Sequence, residues 1–236
     1  ILYKKIYSMA DKIIVNSKDF KKELKLKFNI NSNCIYNPLN KKEIIKNSKK
    51  KINIDFFKKE DFKIISVARL TNQKDHFCLI RSINLLKNKY KNIKVLLIGS
   101  GNKKKEIQNL INKLKLKKII KILSFKKNPY PYIKKSNLFI LSSKFEGLPN
   151  VLLEAITLKK IIISSDCPTG PSEILDNGRG GLLFKVGDYK ELSKKIIFTI
   201  QNKKKCNKKL LFAKKRLERF DYSKNLFRYY KILNTI

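Results

Sequence analysis

The chain has 236 residues, is 42% hydrophobic, and sets 56 Lys and Arg against 18 Asp and Glu for a formal net charge of +38. That length holds one full core with some chain left over for a second, partial unit, and its longest apolar runs, such as Val95 to Ile98 and Ile161 to Ile163, fall far short of the ~20 residues of a membrane-spanning helix. Only six of the 56 basic residues are Arg, and the Lys are spread along the whole chain among abundant Ile and Asn, so the charge reads as compositional background: nucleic acid is not an expected partner, whereas an anionic membrane surface is a candidate one.

In chain order, Leu2 to Ala10 carries charges and lacks the apolar core of a signal peptide, so a soluble, cytoplasmic protein is expected. Residues 1 to 40 read as a helix, a short strand Ile13 to Val15, a helix Lys18 to Lys27 and a second short strand near Ile35, ending at Asn37-Pro38. This is too little for a doubly wound sheet of its own. Residues 1–50 are therefore assigned to the tail of a preceding domain and a Lys- and Asn-rich linker, Asn40 to Ile52.

From residue 62 onward, apolar runs of strand length alternate with segments of helical period. The strands are Lys63 to Val67, Val95 to Ile98, Ile119 to Leu123, Leu138 to Leu141, Ile161 to Ser164 and Leu182 to Phe184. Between them, His76 to Lys89 and Lys103 to Leu116 each place their apolar residues on one stripe. Such alternation makes an α/β fold, a doubly wound Rossmann-like parallel sheet with helices on both faces, over residues 51–204. Residues 205–236 form a basic helical segment whose Phe212, Phe220, Tyr222, Phe227, Tyr229 and Tyr230 need a surface to pack on, and the preceding domain is the expected one.

Sheets of this class bind ligands at the carboxyl ends of their strands, and the unusual residues follow those ends. Arg69 and Lys74 follow the first strand in Val67-Ala-Arg-Leu-Thr-Asn-Gln-Lys74, where a guanidinium fork and a point charge suit a diphosphate. Gly99-Ser-Gly101 follows the second strand and permits close approach of backbone to a ligand, but lacks the rest of a dinucleotide fingerprint. Glu146 and Glu154 are separated by seven intervening residues, with Gly147, Leu148, Pro149 and a helix start among them. Pro149 suits the first helical position, the free N–H groups beyond it suit a phosphate, and Glu154 would accept from ribose hydroxyls. Two acids favoured at a helix start by the macrodipole alone is the bland alternative.

The four cysteines are scattered, His76 stands alone, and no Asp-x-Asp pair occurs. No metal and no cofactor are therefore expected, and the positive charge for a diphosphate must come from protein groups.

Taken in order, Val67-Ala-Arg-Leu with Lys74, Leu97-Ile-Gly-Ser-Gly101, Asn128-Pro-Tyr-Pro-Tyr-Ile133, Leu141-Ser-Ser-Lys-Phe-Glu-Gly-Leu-Pro-Asn-Val-Leu-Leu-Glu-Ala155 and Asp166-Cys-Pro-Thr-Gly-Pro-Ser-Glu-Ile174 resemble family 4 retaining glycosyltransferases over residues 60 to 200. The resemblance implies the second domain of a GT-B fold, with the last elements of the first. It implies that Arg69 and Lys74 hold the diphosphate of a nucleotide sugar, expected to be a UDP-sugar, and that Glu154 holds the ribose. Glu146, with the loop Gly147, Leu148, Pro149 and Asn150 and the amides it carries, is implied to meet the transferred sugar and phosphate, and Gly99, Gly101, Ser124 and Phe125 to bind the base.

The same resemblance implies transfer with retention onto a saccharide or polyprenyl-linked acceptor in surface polysaccharide synthesis, peripheral to the inner face of the cell membrane. Lys159 and Ile161 stand where the family has Gly and Pro, so a left-handed residue is expected at the end of the Glu154 helix. The competing readings are a donor-binding fragment without turnover, a glycoside hydrolase using Glu146 and Glu154, and a basic module for membrane or nucleic acid.

Overall fold

A computed structural model describes residues 6, 7 and 9–235. Of the expected opening helix, Ile6 and Tyr7 are helical, while residues 1–5 and 8 lie outside the described residues.

Six strands build one parallel sheet: β3 (Phe62–Val67), β4 (Ile93–Ile98), β5 (Ile120–Leu123), β6 (Leu138–Leu141), β7 (Ile161–Ser165) and β8 (Leu182–Phe184). Their order is β5-β4-β3-β6-β7-β8, so the winding reverses between β3 and β6. A crevice opens at such a reversal, outside the carboxyl ends of the strands.

Both faces of the sheet are largely buried, which is why the strands read as mainly apolar runs, interrupted at Lys63, Lys94 and Lys121. Alternate side chains serve two cores. Ile64, Val95, Leu97, Leu138, Ile140 and Ile163 pack on the side of α3 (His76–Leu86), α4 (Lys104–Lys113) and α8 (Tyr189–Gln201). Ile65, Leu96, Ile98, Phe139, Leu141 and Ile162 pack on the side of α5 (Tyr130–Lys134), α6 (Asn150–Thr157) and α9 (Lys203–Arg216).

Helix ends differ from the sequence expectation by a few residues. α3 ends at Leu86. α4 ends at Lys113, and Lys115 just beyond it takes a left-handed conformation (φ 56°) that turns the chain toward β5. The linker Asn40 to Ile52 contains a helix, α2 (Lys41–Asn47). Asn40 and Glu43 cap it reciprocally, the Asn40 carboxamide accepting from the Glu43 N–H at 3.1 Å and donating to its carboxylate at 3.1 Å, and Ile44 is buried among the residues of the α6 face. Lys159 has φ 59°, the left-handed residue expected after α6.

The first forty residues supply a two-stranded parallel sheet, β1 (Ile14–Val15) and β2 (Asn33–Cys34), flanking α1 (Lys18–Phe28). Three separated stretches tie this unit down. The Glu173 carboxylate accepts from the N–H groups of Lys18 (3.0 and 2.9 Å) and Asp19 (3.3 Å) and from the Tyr36 hydroxyl (2.5 Å), so a side chain of the sheet domain caps α1. The Tyr36 and Phe220 rings lie 4.7 Å apart, and the Leu39 N–H donates to the Phe220 carbonyl at 2.9 Å. Beyond them α10 (Tyr222–Leu233) crosses back over the unit, with the Tyr229 hydroxyl 3.4 Å from the Ile35 carbonyl. Among the aromatic residues of that end, Phe220 is buried and Phe212 lies under the Arg179 guanidinium at 4.4 Å, while Tyr222, Phe227 and Tyr230 are exposed.

Candidate functional site

A cavity of about 300 Å³ opens at the carboxyl ends of β3, β4 and β5, lined by residues 67–69, 98–100 and 125–127 together with Pro129, Tyr130 and Glu154. Arg69 from the loop after β3 and Glu154 from the second turn of α6 therefore share one pocket. Arg69, Lys126 and Lys127 bring three cations to it against the single carboxylate of Glu154, a balance that favours an anionic ligand. The volume stands at the lower end of the range for small-molecule sites.

Glu154 is half-buried, and burial raises its carboxyl above the usual carboxylate range. The Tyr130 hydroxyl, 3.4 Å from Oε1, works in the opposite direction by donating to the ionised form. Tyr130 itself is pushed up to about 12 by burial and by the neighbouring Glu154 charge. The pair also walls a second, smaller cavity of about 180 Å³, whose polar lining includes Asn37, Asn40, Glu43 and Asn150. Asn37 donates to Asn150 at 2.8 Å, linking the start of α6 to the chain leaving the first unit.

Lys74 and Glu146 are not on the cavity wall. They form an ion pair of 2.5 Å with side-chain exposures of 14% and 7%. Ser143 donates to the same Glu146 oxygen at 2.5 Å, and the Lys74 carbonyl accepts from Ser142 at 2.9 Å. Gln73 connects this pair to the pocket. Its side chain accepts from Arg69 at 3.3 Å and donates to the Phe145 carbonyl at 2.9 Å, while its own carbonyl accepts from the Lys144 N–H at 2.7 Å. The loop carrying the cations and the loop carrying Glu146 are thus stitched together.

Pro149 is the cap of α6 (φ −73°, ψ 95°), and the helix begins one residue later, at Asn150, than the sequence reading placed it. Pro149 has no N–H and no side chain caps this end, so the first helical N–H groups are open to a ligand. The loop before it is braced by the one after β7: Thr169 (φ 60°) donates through its hydroxyl to the Glu146 carbonyl. Gly170 (φ 84°) passes so close that a Cβ there would lie 2.0 Å from the Gly147 carbonyl oxygen.

The glycines after β4 are pressed by the neighbouring loop. A Cβ on Gly99 would meet the Ala68 carbonyl oxygen at 2.0 Å, and one on Gly101 the Leu70 carbonyl oxygen at 2.3 Å. Their lack of a side chain lets the β4 loop pack directly on the β3 loop. Gly99 still reaches the cavity; Gly101 and Ser124 do not, and Phe125 lies on the wall with 68% of its surface exposed. Of the other residues expected to bind, Leu148 and Pro149 are buried, and Gly147 and Asn150 are exposed.

Sequence reasoning assigned no role to Tyr130, Gln73, Ser143, Thr169, Lys126 or Lys127. The available signal was the motifs themselves: Tyr130 stands in the Asn128–Ile133 motif, Gln73 between Arg69 and Lys74, Ser143 in the Leu141–Ala155 motif and Thr169 in the Asp166–Ile174 motif. Among the described residues no group of three or more His, Cys, Asp or Glu side chains could hold a metal ion, and no helix is long and apolar enough to cross a membrane.

Residues 47–216 match the family described as glycosyl transferases group 1. An uncharacterized glycosyltransferase of Methanocaldococcus jannaschii is 40% identical over 182 residues, covering 74% of this chain and 44% of that protein. The N-acetylgalactosamine-N,N'-diacetylbacillosaminyl-diphospho-undecaprenol 4-alpha-N-acetylgalactosaminyltransferase of Campylobacter jejuni is 31% identical over 219 residues, covering 92% of this chain and 58% of that one. The chain spans about half the length of these curated relatives. Among solved structures, Anabaena HepE in complex with UDP and glucose superposes with a TM-score of 0.83 at 20% identity, over 96% of this chain and 64% of that chain. This likeness is one of fold, the parallel sheet with flanking helices found in GT-B glycosyltransferases.

Proposed function

The chain belongs to the group 1 glycosyl transferases, and from that premise we propose that it forms the donor-binding half of a retaining enzyme that takes a sugar from a nucleotide diphosphate sugar, a UDP-sugar first among them. The observation that carries this reading is the shared pocket of Arg69 and Glu154 at the point where the strand order reverses. In it Glu154 accepts from the ribose hydroxyls, Phe125 and the Gly99 loop flank the base, and Arg69 grips the diphosphate. Lys74 stands one residue beyond Gln73 as a further positive charge for the leaving group. Glu146 and the open amides of residues 147, 148 and 150 meet the transferred sugar and its phosphate.

These groups act by complementing charge that grows on the diphosphate as the glycosidic bond lengthens. Three protein cations at the cavity mouth, with Lys74 behind them, can do so without a metal, and metal independence is part of the proposal. The acceptor is a saccharide or a polyprenyl-linked glycan. What supports that reading is the Campylobacter relative, whose acceptor is a diphospho-undecaprenol-linked sugar.

In the same proposal residues 1–50 close an acceptor-side domain, 51–204 bind the donor, and 205–236 return to that domain. Attachment at the inner face of the cell membrane is supported by the groove between α1 and α10, which gathers Lys18, Lys21, Lys22, Lys25, Arg228 and Lys231. The test is calorimetric titration with UDP and GDP. Wild type should bind one of them at least tenfold more tightly than Arg69→Ala or Glu154→Ala; equal affinity in all three proteins refutes the donor site.

A further inference from the structure

The loop after β7 holds an unusual backbone. Thr169 is β-branched, yet sits at φ 60°, a region that disfavours branched side chains because the Cβ crowds the backbone. Such strain persists only where the surroundings enforce it. Here the enforcement is visible on both sides. The Thr169 hydroxyl donates to the Glu146 carbonyl, and the next residue, Gly170, is pressed against the Gly147 carbonyl with room for no side chain at all. Two successive carbonyls of the Glu146–Gly147 stretch thus face this loop.

A trans peptide sets its N–H opposite its C=O, and no cis bond occurs among the described residues. Fixing the Glu146 carbonyl on the Thr169 side therefore turns the Gly147 N–H away from it. Gly147 is exposed, and no backbone acceptor among the described residues takes that N–H. Across from it stands Asn16, whose Oδ1 would be 3.7 Å from a Cβ on Gly147, so the amide borders the cleft between the first unit and the sheet domain.

We propose that Thr169 is a positioning residue for the donor: its hydroxyl orients the Glu146–Gly147 peptide so that the Gly147 N–H is presented to an anionic oxygen of the nucleotide sugar. This rests on the donor-site reading above. It adds a group on the opposite loop, away from the Arg69 and Glu154 pocket, that acts through a peptide plane and touches no substrate.

The test pairs stability with ligand affinity in three variants of the whole chain. Thr169→Gly relieves the left-handed strain and removes the hydroxyl, Thr169→Val keeps the branched shape and removes the hydroxyl, and Thr169→Ser keeps the hydroxyl. If the hydroxyl orients the peptide, Thr169→Gly and Thr169→Val both bind UDP about tenfold more weakly than wild type, as expected for one lost hydrogen bond to a charged group, and Thr169→Ser stays within about twofold. Thr169→Gly should at the same time melt about 2–4 °C higher, a gain in stability with a loss of binding that a purely structural role does not produce. Wild-type UDP affinity in Thr169→Val overturns the inference, as does a Thr169→Ser variant as weak as Thr169→Gly. Arg69→Ala separates the two levels: if wild type outbinds Arg69→Ala while all three Thr169 variants match wild type, the donor site stands and the role of Thr169 falls. If wild type does not outbind Arg69→Ala, the donor site falls and this inference with it.

Discussion

Removing Lys74 leaves Glu146 as a carboxylate with 7% of its side chain exposed and only Ser143 beside it. At the observed 2.5 Å separation and an effective dielectric constant near 20, the gross attraction in the pair is about 7 kcal/mol. Dehydrating two ions offsets several kcal/mol of that, so the net value of the pair is small while the cost of breaking it from one side is large, about 3–5 kcal/mol. Lys74→Met should accordingly lower the unfolding free energy by about 3 kcal/mol. Glu146→Gln keeps both hydrogen bonds available and strands a less desolvated cation, since Lys74 has twice the exposure of its partner, and should cost about 2 kcal/mol. The double variant should cost about 2–3 kcal/mol, no more than one single change and well short of the sum of the two, giving a coupling energy of about 2–3 kcal/mol in a cycle of urea denaturations at pH 7. Because both groups are shielded, the coupling should change little between 0.05 and 0.5 M salt. A coupling energy below about 0.5 kcal/mol would refute the reasoning, since the pair would then be solvated in solution and Lys74 free to swing independently of the Glu146 loop.

Other consequences are open to equally direct measurement. His76 is 1% exposed, both ring nitrogens lack partners, and burial followed by the nearby Lys74 charge lowers it to about 4 from 6.5. The unfolded chain therefore takes up this proton first. The stabilisation is complete above about pH 6.5 and is lost as pH falls toward 4, so between pH 7.5 and 5.5 wild type should lose about 1.5 kcal/mol that His76→Leu does not, by denaturant unfolding at the two pH values. Glu154, its carboxyl raised by burial, should begin to protonate at a higher pH than an ordinary carboxylate; as pH falls, UDP affinity by calorimetry should then weaken more steeply in wild type than in Glu154→Gln, which keeps only the dependence of the UDP phosphates themselves. Lys159→Gly removes a side chain from a residue at φ 59° and should raise stability by about 1 kcal/mol, seen as a melting point about 2–4 °C higher.

The sheet was legible because parallel strands covered on both faces are written as largely apolar runs such as Val95 to Ile98, clear enough to survive single polar residues such as Lys63 and Lys121. In the cavity that Arg69 and Glu154 share, Arg69 was legible for a chemical reason: Arg is scarce in this chain, so one directly after a strand stands out against a background of Lys. What escaped the sequence was local or long-range in specific ways. α2 hides in a Lys-rich stretch, and its one clear mark was the Asn40 to Glu43 cap, easily lost among so many Asn. Gln73, Ser143 and Thr169 work through partners 72, 3 and 23 residues away, and nothing in a short polar side chain announces such a contact. Gly99 and Gly101 were read as places where backbone approaches a ligand, and the β3 loop presses on both; a sequence does not carry the position of a neighbouring loop.

The meeting of Leu39 with Phe220 has a consequence for the order in which the molecule assembles. On a ribosome the N-terminal unit emerges first, yet the contacts of Tyr36, Leu39 and Ile35 with residues 220–229 span more than 180 residues of chain. The helical crossing that pins the unit is therefore made long after the unit itself. Until it arrives, Glu173 holds the start of α1 to the sheet domain and Asn37 holds the chain beyond it to α6. A nascent chain halted near residue 216 should therefore carry a finished sheet with a loosely hung first unit, one that proteases cut around residues 40–52 well before they reach the strands.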